Sequence, residues 1–351
     1  MSLDRKNLIK LCQKFWRKEK TEKPLVGALY NRISPLQWFT DGGKGKNLHP
    51  EDLSKEMFIN DCQRRHRASQ QIKGDAIYVA FPFSGIPWSE GVMGCKVKIG
   101  NGSCWSEILE DDWRNYTINS VPWNNGWFDK IQELTETAIE FSKGKYPIGP
   151  VHLRSPVDLV PALLGEKEFC LSLYDHPEEI HKLVEISTEV WEKIVNAQYD
   201  LLTKEEGGYW NANQPMWAPG KNMFVTADAS ALISPGMFKK FFLSRFKKML
   251  KDLEWCIMHT HSSSLHVLDL LMPINELKAI QVGIDPNGPS LKELIPKFHK
   301  ILSKKTLIIG GVLNSVEINT LISELPSEGL CIYTYLETIE ECNRVINKVS
   351  I

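Results

Sequence analysis

The sequence predicts an α/β chain folded as a (β/α)8 TIM barrel with an N-terminal helical extension and a long loop after the second strand. Three observations carry this. The chain has 351 residues, a size that single α/β barrels often reach. Short apolar runs alternate with polar loops and helix-period segments, the pattern of βα units on a parallel sheet. No low-complexity tract, charge block or Pro/Ser-rich linker divides the chain, so residues 1–351 are expected to form one domain.

The first 20 residues read as a helix capping the barrel bottom. The expected strands are PLVGALYN (24–31), DAIYVAFP (75–82), YPIGPVHL (146–153), GGYWNAN (207–213), NMFVTADA (222–229), EWCIMHTH (254–261), KAIQVGI (278–284), KTLIIGGV (305–312) and LCIYTY (330–335). That is one run too many for eight staves. The excess falls in 207–229, as one strand with a hairpin insertion or as two strands broken by QPMWAPGK. Helices are expected at 178–202, 234–253, 290–305 and 338–349, with Ser234 as N-cap and Pro235 at the first helical position of the second. The segment 85–127, rich in Gly, Pro, Trp and Asn, follows the second strand and reads as a lid over the C-terminal mouth, where barrel enzymes keep their sites.

Composition narrows the function. Lys and Arg number 42 and Asp and Glu 43, a net charge of −1, which points to neither nucleic acid nor a membrane surface. No run approaches the ~18 apolar residues of a membrane span, and the charged N-terminus has no apolar signal core, so a cytoplasmic location is expected. The eight cysteines are scattered without a CxxC pair and read as reduced thiols. Phosphate-loop, dinucleotide, HExxH and GxSxG motifs are absent.

The sharpest chemical signal is His259-Thr260-His261 at the end of an apolar run. Residues two apart on a strand share a face, so both imidazoles reach the mouth. They are read as metal ligands or as acid–base groups, with Cys331 on the last run as a third ligand. The bland alternative is a hydrogen-bonded histidine pair that orients a polar substrate, with Cys331 as packing. Asp228, at another strand end, is a further ligand, a general base or a substrate anchor. It could instead cap the next helix, but Ser234 is the better cap. Polar residues at other strand ends rim the mouth: Tyr30 and Arg32, His152 and Arg154, Asn211 and Asn213, Gln281 and Asp285, and Asn314. Trp88, Trp210 and Trp217 are expected as apolar walls. Of these, Tyr30, Trp88, His152, Asn211, Trp217 and Gln281 are the expected substrate contacts.

Several stretches in order resemble the uroporphyrinogen decarboxylase superfamily over about residues 20–349. They are GDAIYVAFPFSGIPWSEGVMGCKV (74–97), GPVHLRSPVDLVPALLGEKEFCLSLYDHPEEIHKLVEISTE (149–189), DASALISPGMFKKFFLSRFKKML (228–250), the HTH run, IIGGVLNS and LCIYTY. The resemblance implies a (β/α)8 barrel. It departs from the decarboxylase branch, whose first strand opens an Arg-rich segment where this chain has only Arg32. That branch also carries an acid at the end of the second strand, where this chain reads YVAFPFSG, so porphyrinogen decarboxylation is not expected. The chain is more similar to the corrinoid-dependent methyltransferase branch. That likeness implies zinc held by His259, His261 and Cys331, with His261 where the branch has Cys. It also implies methyl transfer between a small-molecule donor or acceptor and a corrinoid supplied by a partner protein. Asp228 would complete the coordination or orient the substrate, and Tyr333 would help exclude water. A homodimer is the expected assembly. The alternative activity is that of a lyase or hydrolase acting on a small polar metabolite without corrinoid.

Overall fold

The computed structural model describes residues 4–30, 46–100 and 103–349, so Arg32 lies outside the described residues. The helices are α1 (Arg5–Trp16), α2 (Lys55–Ser69), α3 (Trp88–Val92), α4 (Trp127–Ser142), α5 (Pro156–Leu164), α6 (Glu166–Asp175), α7 (Pro177–Leu201), α8 (Pro235–Phe241), α9 (Leu243–Leu250), α10 (Leu268–Leu271), α11 (Leu291–Leu302), α12 (Ser315–Glu324) and α13 (Ile339–Ile346). The strands are β1 (Leu25–Tyr30), β2 (Lys46–Leu48), β3 (Val97–Gly100), β4 (Ser103–Ser106), β5 (Tyr209–Asn211), β6 (Met216–Ala218), β7 (Phe224–Val225), β8 (Cys256–His261), β9 (Leu277–Gly283), β10 (Thr306–Gly311) and β11 (Leu330–Leu336).

The result is a mixed α/β fold around a six-stranded parallel sheet in the order β1-β11-β10-β9-β8-β7. The expected closed eight-stranded barrel is not what the ladders give, because the sheet stops at β1 and β7 among the described residues. The two runs expected between them, 75–82 and 146–153, form no ladder and are joined by a single bridge. Asp75 N–H donates to the Val26 carbonyl at 2.8 Å and Ala80 N–H to the Pro147 carbonyl at 2.9 Å. Ala80 bridges Ile148 in parallel. Proline accounts for part of this: Pro82, Pro147 and Pro150 each lack the amide N–H a ladder needs.

The period-2 pattern of the strands sorts side chains between two clusters. Val26, Ala28, Met258, Ile280, Val282, Leu307, Ile309, Leu330 and Ile332 join the cluster shared with most of the helices. Leu25, Ile257, Ala279, Ile308, Cys331 and Tyr333 face the other way, into a cluster with Leu8, Cys12, Phe15 and Trp16 of α1. The excess run resolves as an antiparallel hairpin, β5–β6, inserted before β7. It carries Trp210, Met216 and Trp217 into that second cluster. Trp16 Nε1 donates to the Trp217 carbonyl at 2.7 Å, fastening the helix to the hairpin. So α1 packs at the strand-start end of the sheet, and the hairpin shares that end.

Helix ends follow local chemistry. Ser234 accepts from the Met237 amide and Pro235 opens α8, as the sequence predicts. The helix expected over 234–253 breaks at Phe242 into α8 and α9. The segment 85–127 contains α3, two short 3-10 turns, and strands β3 and β4, which form an antiparallel sheet with β2 from before the segment. No helix among the described residues is long and apolar enough to cross a membrane.

Candidate metal centre and adjoining cleft

On the face shared with α1, side chains change from apolar to polar toward the strand C-termini. Along β8 the sequence on that face is Ile257, His259, His261. On β9 it is Ala279 then Gln281, and on β11 it is Cys331, Tyr333, Tyr335. Register sets His259 beside Gln281 and His261 beside Gly283.

Three ligand atoms converge at this end. His259 Nε2 lies 3.3 Å from His261 Nε2. Asp228 Oδ1 lies 3.4 Å from the first and 3.6 Å from the second. Asp228 arrives from the 3-10 turn 228–232 that follows β7. Because Ser234 supplies the helix cap, the Asp228 carboxylate is left for the cluster. Asp228, His259 and His261 form a group that could hold a metal ion.

The second nitrogen of each imidazole is fixed from behind. His259 Nδ1 sits against Gln281 Oε1, an atom that only accepts, so Nδ1 carries the proton. His261 Nδ1 donates to Asp285 Oδ1 at 2.5 Å. Asp285 in turn accepts from Ser262 Oγ at 3.0 Å, Ser263 N at 3.0 Å and Ser263 Oγ at 2.6 Å. Carboxylate- or carbonyl-backed histidines are the usual outer shell of a metal site. With both Nδ1 atoms engaged, the neutral Nε2 lone pairs point at each other and at a carboxylate. A cation between them relieves that repulsion.

In the metal-free arrangement a proton on His261 serves. The Asp228 hydrogen bond pushes the His261 pKa up to about 9 against the opposing effect of burial, and Asp285 reinforces it. Burial works to raise the Asp228 pKa, but the His261 hydrogen bond and the neighbouring His259 hold it below the ordinary value. Asp285, resisting burial through its Ser263, His261 and Ser262 donors, is held at about 2.

The spacing discriminates between coordination geometries. A tetrahedral ion with bonds of ~2.0–2.1 Å separates its ligand atoms by about 3.3–3.4 Å. Octahedral neighbours at ~2.1 Å are about 3.0 Å apart. The observed 3.3, 3.4 and 3.6 Å lie nearer the first spacing than the second. Two neutral imidazoles and one carboxylate are an accepted zinc set.

Several expectations are corrected here. Cys331 is not among the converging ligand atoms. It is the second residue of β11, fully buried, and its environment is Tyr333, Cys12 and Asp75 at the α1 end. Burial, with Tyr333 only partly opposing, pushes its thiol well above the ordinary range, the opposite of a ready thiolate ligand. Tyr333 is fully buried in the same place, its hydroxyl 3.5 Å from the Pro215 carbonyl. Tyr335, two residues on, is the β11 residue beside the cluster. A Cβ at Gly310 would meet its hydroxyl, and Gln281 Nε2 at 2.8 Å. Asn211 accepts from the Gln214 amide within the hairpin turn. Trp217 donates to the Glu205 carbonyl at 2.7 Å and Trp210 to the Glu205 carboxylate at 2.8 Å, so both belong to the α1 end. Asn314 is an N-cap, accepting from the Val316 and Glu317 amides. Tyr30 ends β1 and is half-buried.

Other expectations meet at a cleft of about 610 Å³ that opens beside Asp228. Trp88, His152 and Arg154 line it, with Glu90, Asp158 and Thr226. Its far wall comes from Gly85–Trp88 and Cys104 of the 85–127 segment. His152 packs edge-on against Phe224, whose ring in turn lies 5.4 Å from His259. Asp158 escaped sequence reading because it sits in the first turn of α5 and looks like an ordinary helix-start acid. It is buried, accepts from Thr226 Oγ1 and the Ala229 amide, and is pushed above the usual carboxyl range by burial and by Asp228.

No protein-family model and no curated protein matches the chain. Among solved structures, the chain is similar to a methyltransferase from Methanosarcina mazei. The TM-score is 0.67 at 13% identity, with 97% of each chain covered. At that identity the likeness is one of fold, running the length of both chains.

Proposed function

We propose that this chain is a zinc-dependent methyltransferase that moves a methyl group between a small substrate and a corrinoid carried by a separate protein. The observation that carries the reading is the triangle of Asp228, His259 and His261, spaced for a tetrahedral ion and backed by Gln281 and Asp285. The full-length likeness in fold to a methyltransferase supports it, as does the sequence resemblance to the corrinoid-dependent branch. The reading takes the runs at 75–82 and 146–153 as the two staves that complete a (β/α)8 barrel, supported by the bridge between Ala80 and Ile148.

Zinc bound here supplies Lewis acidity toward the methyl-bearing heteroatom or the acceptor group. The protein's own residues do the rest. Asp228 lowers the charge of the site by one without the softness of a thiolate. Gln281 and Asp285 fix both imidazole rings with Nε2 forward. The cleft lined by Trp88, His152 and Asp228 would hold the small substrate beside the residues that would bind the metal, and its mouth is left for the corrinoid partner.

A second reading, a lyase or hydrolase that needs no corrinoid, is favoured by one observation: among the described residues, no cysteine joins Asp228, His259 and His261. Carboxylate and imidazole without thiolate also suit a site that activates water.

Metal content by mass spectrometry, paired with methyl transfer to Co(I) cobalamin followed in the visible spectrum, tests the proposal. About one zinc per chain is expected in wild type and Cys331→Ala, and none in His259→Ala or Asp228→Asn. A panel of methyl ethers, amines and thioethers should yield methylated cobalamin with at least one member. Wild type that stays metal-free after zinc loading overturns the metal centre. A zinc-loaded protein that methylates no cobalamin but turns over a substrate without it hands the site to the second reading.

A further inference from the structure

The cleft beside the metal centre carries an uneven charge. Among the described residues that line it, Arg154 is the one Lys or Arg, while Glu90, Asp158, Glu166 and Asp228 are acidic. Arg154 uses a single nitrogen on Glu90, with Nη1 to Oε1 at 2.7 Å. A guanidinium offers five N–H groups in a planar fork, and no other acceptor among the described residues takes the rest. Its side chain is 50% exposed, against 1% for Glu90.

The pairing is one-armed where a two-armed one would serve folding better. Glu90 is wholly buried in α3, and its Oε2 has no hydrogen-bond partner among the described residues. Burial raises its pKa, and Arg154 only partly opposes this. A fork-to-fork contact would satisfy both carboxylate oxygens. Instead Glu90 grips one corner of the guanidinium, which leaves a second donor edge free in a half-open position. A buried carboxylate left half-satisfied costs stability, and what it secures is the orientation of Arg154 in the cleft.

We propose that Arg154 anchors an anionic group of the substrate, a carboxylate in the simplest case, with Glu90 as the residue that positions it. The planar fork matches a carboxylate through two parallel N–H donors. Asp228 lines the same cleft, so an anion held at Arg154 leaves the other end of the substrate to face His259 and His261. Naming that second end as methyl-bearing rests on the methyl-transfer reading; the anion anchor itself does not.

Calorimetric binding to the full chain as purified tests this with three acid–amide pairs: methoxyacetate, (methylthio)acetate and N,N-dimethylglycine, each against its own carboxamide. In at least one pair the acid should bind wild type about tenfold tighter or more. The ratio should fall to near unity in Arg154→Gln and be partly kept in Arg154→Lys, with zinc content unchanged in both. Circular dichroism checks that the variants fold. Wild type that shows no acid preference in any pair overturns the proposal. So does a preference that survives in Arg154→Gln, which would assign the grip to the metal centre. Failure of methyl transfer shows separately, as unmethylated cobalamin, and leaves the binding ratio standing.

Discussion

His261 donates from Nδ1 to Asp285 and faces Asp228 through Nε2, so its imidazolium is flanked by two carboxylates. That placement has a pH signature in the metal-free protein. The folded-state pKa is raised from 6.5 to about 9, so the folded state holds this proton more tightly than the unfolded chain. The stabilisation is fully present below about pH 6.5 and is lost as pH rises through about 9. Thermal unfolding of chelator-treated protein should therefore fall in midpoint across that window. Asp285→Asn, which removes one of the two carboxylates, should flatten the fall. Parallel curves for the two proteins would show that Asp285 does not hold the proton. The same proton must leave for a metal to bind His261, so zinc added at neutral pH should release acid.

Strand alternation made part of this site legible and hid the rest. Two histidines two apart at the end of β8 announce a shared face, and the better cap at Ser234 frees Asp228, so all three cluster members could be picked out in advance. Alternation gives the face of a side chain but not its height along the strand. Cys331 and Tyr333 do share a face with Tyr335, yet β11 begins at Leu330, which sets the first two at the α1 end. The hairpin tryptophans were misplaced for a similar reason: nothing local says that β5–β6 folds under the sheet. Their burial depends on α1, some 200 residues earlier in the chain, through the Trp16 to Trp217 bond. That element makes its own prediction. Trp16 is buried with Phe15 and Trp255 edge-on to its ring at 5.0 and 5.4 Å. Trp16→Ala should cost about 3–5 kcal/mol of stability, read as a lower urea midpoint with unchanged slope. A loss below about 1 kcal/mol, the range of ordinary surface changes, would mean that α1 is not integral to the fold.

Across the whole molecule, the sheet separates two ends with different work. Toward the strand starts, α1, the hairpin, Cys331 and Tyr333 make an apolar plug. Toward the strand ends, the apolar stack gives way to His259, His261, Gln281 and the cleft. Ile257, Ala279 and Ile308, fully buried, are the residues that β8, β9 and β10 contribute to that apolar cluster. If the stack isolates the ends, their energetics add, as distant independent sites do. Zinc at about a hundred times its dissociation constant should stabilise the folded chain by about 2.7 kcal/mol, a rise of about 4 °C in melting midpoint for a chain of this length. Trp16→Ala should start from a lower midpoint and show the same zinc-induced rise in free energy. His259→Ala should show none, from a baseline close to that of metal-free wild type. A zinc increment that shrinks in Trp16→Ala would mean that the plug also holds the metal centre in shape. Gly310 and Tyr335 would be the first place to look, because the close approach of that glycine to Gln281 ties the β10 backbone directly to the residue that orients His259.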